Sequence, residues 1–282
     1  MSQPRRSASL FQIAYESAES VTESGFLILD NTSNLRPDWY EYWPIRNFFL
    51  NKTLVATDFL GFFSPKFHIK TGLTCELILD FMAQDEFASE VYLFSPQPEV
   101  GALFLNVFES ENFFTPGFRE LSQRVVKHLG FDHLDCQAVM DSRQTVFSNY
   151  LVASPRFWSR WLSVCEALFG FCEAQRSDAP DLQSLLLRPT NYPGGAQAKV
   201  FLMERIASLV ISSEGFITKA YNPFRLASSA HFAPWKAEAV ACDALKRSYL
   251  DTKHPEYLDV FHKVSNATLQ QFLSVKMAEG SH

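Results

Sequence analysis

Glycine is scarce in this sequence, 11 residues in 282, and none of it falls in a GxGxxG or GxxxxGK[ST] pattern. Rossmann and P-loop proteins cradle phosphates with backbone loops that need those glycines, so neither class is indicated. The GxSxG and HExxH patterns are missing as well, which removes the sequence signs of α/β-hydrolase and zinc-protease chemistry. The five cysteines, Cys75, Cys136, Cys165, Cys172 and Cys242, include no CxxC pair and no metal-ligand spacing, and reduced, buried thiols are expected. No stretch reaches the roughly 18 uninterrupted apolar residues that crossing a bilayer requires. The first twenty residues also lack the apolar core of a secretory signal. The expected location is cytoplasmic, with at most a peripheral association with a membrane. Twenty-five basic residues against 31 acidic ones leave a net charge of −6, and they form no stripe, which argues against nucleic acid as a partner.

Hydrophobic residues make up 47% of the chain, and 27 positions are Phe, enough apolar material for one large core. No linker, repeat or low-complexity tract divides it, so residues 1–282 are read as a single domain with a helical tail from about residue 224. Short apolar runs predict strands at Leu10–Tyr15, Phe26–Leu29, Asp58–Ser64, Glu90–Ser95 and Val146–Val152. Helical spacing predicts helices over Trp39–Leu50, Thr74–Met82, the stretch after Pro116, Pro155–Glu173, Ala198–Ser213, Pro234–Tyr249 and Tyr257–Met277. Strands alternating with helices point to an α/β fold with a mostly parallel central sheet flanked by helices.

The segment DFLGFFSPKFHIKTG, residues 58–72, delivers a dense polar group from a buried strand: Ser64, Lys66, His68, Lys70 and Thr71. Ligands of open α/β sheets bind beyond the carboxyl ends of strands, where this group would lie. Lys66 and Lys70 could then clasp a diphosphate, with Ser64 and Thr71 donating hydrogen bonds; an ordinary solvated loop is the alternative. Asp58 opens the strand and caps or positions it. Asn149 and Tyr150 interrupt another apolar run, and a buried amide there needs a partner, either a backbone group or a ligand. Trp158 and Trp161 fall at core spacing on their helix. Glu204 and Arg205 break the apolar helix KVFLMERIASLVI, and the carboxylate is either half of an internal ion pair or a general base facing a cleft. Glu109 and Glu111, in FESENFF, are read as a solvated loop rather than as cation ligands.

Taken in order, EYWPIRNFFL, DFLGFFSPKFHIKTG, VYLFSP, SNYLVASPRFWSRWL and VFLMERIASLVIS resemble the parts of bacterial capsule and polysaccharide glycosyltransferases of GT-A-like fold, across Leu10 to Glu214. The resemblance implies transfer of a sugar from a nucleotide-sugar donor to a glycan or lipid-linked acceptor in surface polysaccharide synthesis. It places Ser64, Lys66 and Lys70 in a basic donor-binding loop, Asn149 and Tyr150 in the N-Y strand, and Glu204 and Arg205 in the ER helix. Where the family carries His-Tyr-Arg-Arg, this chain has Ser64, Pro65, Lys66 and Phe67, and it has no Asp-x-Asp, which leaves the need for Mn²⁺ or Mg²⁺ open. A non-catalytic module of the same fold that binds a glycan or a protein is the alternative.

Overall fold

A computed structural model describes residues 8–16, 23–52, 59–86, 89–192 and 194–279. The apolar runs form the strands of one sheet: Ala8–Ala14 (β1), Leu27–Asp30 (β2), Phe59–Phe63 (β3), Val91–Leu93 (β4), Leu151–Ala153 (β5) and Thr218–Ala220 (β6). β3, β4 and β5 are almost wholly buried, as continuous apolar sequences require of strands covered on both faces, whereas β2, at one edge, is exposed.

The strands lie in the order β2-β1-β3-β5-β4-β6. β1 is parallel to β2 and β3, and β4 to β6, but β5 runs antiparallel to both of its neighbours. The sheet is therefore mixed: β1, β2, β3, β4 and β6 share one direction, in keeping with the mostly parallel sheet expected from the sequence, and β5 alone is reversed. The chain leaves β4 at its carboxyl end and returns to the same edge at residue 150, so the strand that follows has to run backwards. The strand expected from Val146 also shortens to three residues. Ser148 and Asn149 adopt left-handed φ values of 59° and 52°, which a strand cannot accommodate.

The helices are Tyr42–Asn51 (α1), Phe67–Thr71 (α2), Cys75–Ala83 (α3), Pro98–Leu103 (α4), Val107–Phe114 (α5), Phe118–His128 (α6), Pro155–Glu173 (α7), Pro180–Leu186 (α8), Ala198–Glu214 (α9), Lys236–Thr252 (α10) and Glu256–Glu279 (α11). Side-chain caps start several of them: Thr74 accepts from Leu77 N, and Ser154, just before Pro155, accepts from Phe157 N. Asn106 accepts from the backbone N–H groups of Phe108 and Glu109, so FESENFF is helix α5 and not a solvated loop.

One face of the sheet packs on α1, α5, α6, α7 and α9, with Trp158 and Trp161 buried and Trp158 Nε1 donating to Leu60 O at 3.0 Å. The other face packs on α2 and α3. α10 and α11 form a third apolar group with α4, held by buried Lys246, whose Nζ donates to Gly101 O and Phe104 O, each at 2.7 Å. All five cysteines are buried free thiols. Among the described residues no helix is long and apolar enough to cross a membrane.

Gly61, in the middle of β3, has no room for a side chain. A Cβ there would stand 2.8 Å from Phe63 Cε2 and 2.8 Å from Val152 Cγ2. Both neighbours are buried in the core, so Gly61→Ala is expected to destabilise the fold by about 1–3 kcal/mol, readable as a lower midpoint in urea with an unchanged slope.

Candidate functional site

The sheet's strand order determines where a ligand can enter. β1 has β2 on one side and β3 on the other, so the strand order reverses between β1 and β3, and the carboxyl ends of strands at such a switch point are where open α/β sheets bind ligands. The reversed β5 brings its amino-terminal residues to the same edge. Tyr15 after β1, Ser64 after β3 and Ser148 to Tyr150 before β5 are thus gathered along one rim.

The side chains on that rim are connected. Ser64 and Tyr150 share a short hydrogen bond between their hydroxyls. Lys70, on α2, donates from Nζ to Ser148 Oγ at 3.1 Å, and its ammonium lies 5.6 Å from the centre of the Tyr150 ring. Asn149 is 5% exposed, and its Oδ1 is buried with no hydrogen-bond partner among the described residues. An orphaned acceptor on one of two consecutive left-handed non-glycine residues is unusual, because both features are unfavourable unless something else is gained. Here they coincide on the rim where a ligand would sit.

Glu204 completes the group from α9. Over residues 198–211 every position of that helix is buried except Glu204. Its side chain retains 38% of its surface, yet desolvation by the surrounding protein is the largest influence on the carboxyl and raises its pKa to about 7. Arg205 and Lys70 pull the value back down, and Glu41 and Glu111 push it up. Glu41 also acts on Tyr15 and Tyr150, whose phenols are raised mainly by burial, and Glu204 acts on Tyr150. Glu204, Glu41, Tyr15, Tyr150 and Lys70 therefore belong to one electrostatic neighbourhood.

Other residues expected at the site are engaged elsewhere. Arg205 turns into the interior, where it pairs with Glu111 at 2.6 Å and donates to Val107 O at 3.0 Å and Phe201 O at 2.8 Å. It holds α9 to α5 and is not free for a donor, and Glu111, expected to be solvated, is buried as its partner. The Thr71 hydroxyl is used at the end of α2, donating to Phe67 O at 2.8 Å and accepting from Leu73 N at 3.1 Å. Lys66 is exposed one helical turn from Lys70, which puts the two lysines on one side of α2, and it has no ionic partner among the described residues. Asp58 lies outside the described residues.

Tyr15, Glu41 and Ser148 join the site without having been expected there. Tyr15 follows the first strand, so the switch-point rule could have singled it out; Glu41 and Ser148 are placed by tertiary packing that leaves no pattern in the sequence. Among the described residues no three His, Cys, Asp or Glu side chains gather as a metal-holding group. No family profile, curated protein or solved structure matches this chain.

Proposed function

We propose that the chain is a glycosyltransferase of GT-A-like fold that moves a sugar from a nucleotide-sugar donor to a glycan or lipid-linked acceptor, with the carboxyl rim of the sheet as its site. The observation that carries this reading is Glu204, the one partly exposed position between residues 198 and 211 of α9, with a carboxyl raised to about 7 by desolvation and within electrostatic reach of Lys70 and Tyr150. A carboxylate of that affinity can take the proton of an acceptor hydroxyl as its oxygen attacks the anomeric carbon. The bond from that carbon to the donor phosphate then breaks, and the diphosphate leaves carrying the electron pair. Lys70, joined by the unpaired Lys66, supplies positive charge where that leaving group develops negative charge. The Ser64–Tyr150 pair and the Asn149 amide, all buried, lie beneath that charge and shape the rim.

Ligand-induced thermal stabilisation tests the reading. A nucleoside diphosphate or nucleotide sugar present at about 100 times its dissociation constant, screened both with and without added Mg²⁺ or Mn²⁺, should stabilise the folded chain by about 2.7 kcal/mol. Lys70→Ala should weaken that binding by about tenfold while the variant stays folded, since the ammonium is bonded only to an adjacent hydroxyl. If no nucleotide raises the melting temperature, the non-catalytic alternative gains.

A further inference from the structure

A concave surface opens between α6 and the α8–α9 connection. The entrance to α6 and its first turns, residues 115–124, face the α8–α9 connection and the start of α9 across a recess of about 410 Å³. That volume matches a small-molecule site.

The charge distribution around this recess departs from the rest of the molecule. Twelve arginines lie among the described residues, and eight of them hold a carboxylate within 4 Å. Two of the remaining four, Arg124 and Arg188, line this one recess from opposite walls, both exposed. An acidic chain that neutralises most of its guanidinium groups has left two of them unpaired around a single hollow. The α6 and α9 helices both open on it, Gly117 and Phe118 at the start of one and Ala198 at the start of the other, so the positive ends of two helix dipoles add to the field. Among the described residues Glu120 is the only carboxylate in the lining, and it holds no guanidinium within 4 Å.

The remaining lining indicates the body of the ligand. The Thr115 and Thr190 hydroxyls are committed to Glu111 Oε1 and Ala196 O, each at 2.9 Å, which leaves the Asn191 amide as the uncharged polar group available. Phe118 gives an apolar floor, backed by the Arg205 guanidinium at 5.4 Å from its ring. Ala198 and Glu204 are six residues apart on α9, about 9 Å along the axis and about 120° around it, so this recess and the Glu204 opening are separate.

We propose that this recess is a second binding site, taking a ligand that carries a phosphate or carboxylate on a body of monosaccharide size, with Arg124 and Arg188 gripping the oxyanion. The proposal stands apart from the transfer reaction and holds whether or not Glu204 is a base. It is tested on the full chain by titration calorimetry with glucose 6-phosphate, glucuronate, glucose and inorganic phosphate. At least one of the two anionic sugars should bind, more tightly than glucose and more tightly than inorganic phosphate, and whichever binds better identifies the oxyanion. The double variant Arg124→Gln with Arg188→Gln should weaken that binding by about tenfold or more, with circular dichroism unchanged because both side chains are exposed and unpaired. The proposal is overturned if neither anionic sugar outbinds glucose, if inorganic phosphate binds as tightly as the sugars, or if the folded double variant keeps wild-type affinity.

Discussion

Glu204→Gln is expected to lower sugar transfer by about 10²- to 10⁴-fold with little change in affinity for the donor, the signature of a lost general base. In the wild type, activity should rise as pH climbs through about 7, because only the ionised carboxylate can accept the acceptor's proton. The variant should lose that rise. Stability should move the other way. Between the usual carboxylate range and about 7, only the folded state holds the Glu204 proton, so the wild type loses stability as pH increases across that window. Glutamine cannot ionise and escapes the loss. At pH 8 the variant should therefore melt no lower than the wild type, while being far less active. A variant that instead loses its fold would make Glu204 a structural residue.

Arg205→Ala, one position along the same helix, should do the opposite. Arg205 is 5% exposed, and its removal leaves the Glu111 carboxylate buried without a cation. The expected loss is about 3–5 kcal/mol, measurable by urea unfolding, because an uncompensated buried charge is among the most destabilising changes a core can suffer. Replacing both partners, Arg205→Met with Glu111→Leu, should recover much of that loss, because no charge is then left alone. If Arg205→Ala folded normally and only donor affinity fell, the guanidinium would belong to the site after all.

These neighbours show how far the sequence can be read. Residues 204 and 205 stood out together because both break an apolar helix, but they lie about 100° apart on the helix surface, and only packing decides which faces the rim and which faces α5. The helices α7 and α9 and the two tail helices were legible because caps, proline placement and 3.6-residue spacing agree along their length. β6 was not, since Thr-Lys-Ala carries no apolar signal and is a strand only because β4 offers it a partner. The direction of β5 was not legible either, since it depends on the edge to which a connection of more than fifty residues returns. The group at the sheet rim was half visible: Ser64, Lys70, Asn149 and Tyr150 are polar residues at the ends of apolar runs, whereas the left-handed turn at Ser148 and Asn149 and the neighbourhood of Glu41 and Tyr15 exist only in the folded chain.

The most direct test is an NMR titration of the Glu204 side-chain carboxyl, followed with and without nucleotide sugars. A midpoint near pH 7 that shifts when a nucleotide sugar is added is the predicted result. A midpoint in the ordinary glutamate range, unmoved by every nucleotide sugar tried, would contradict it.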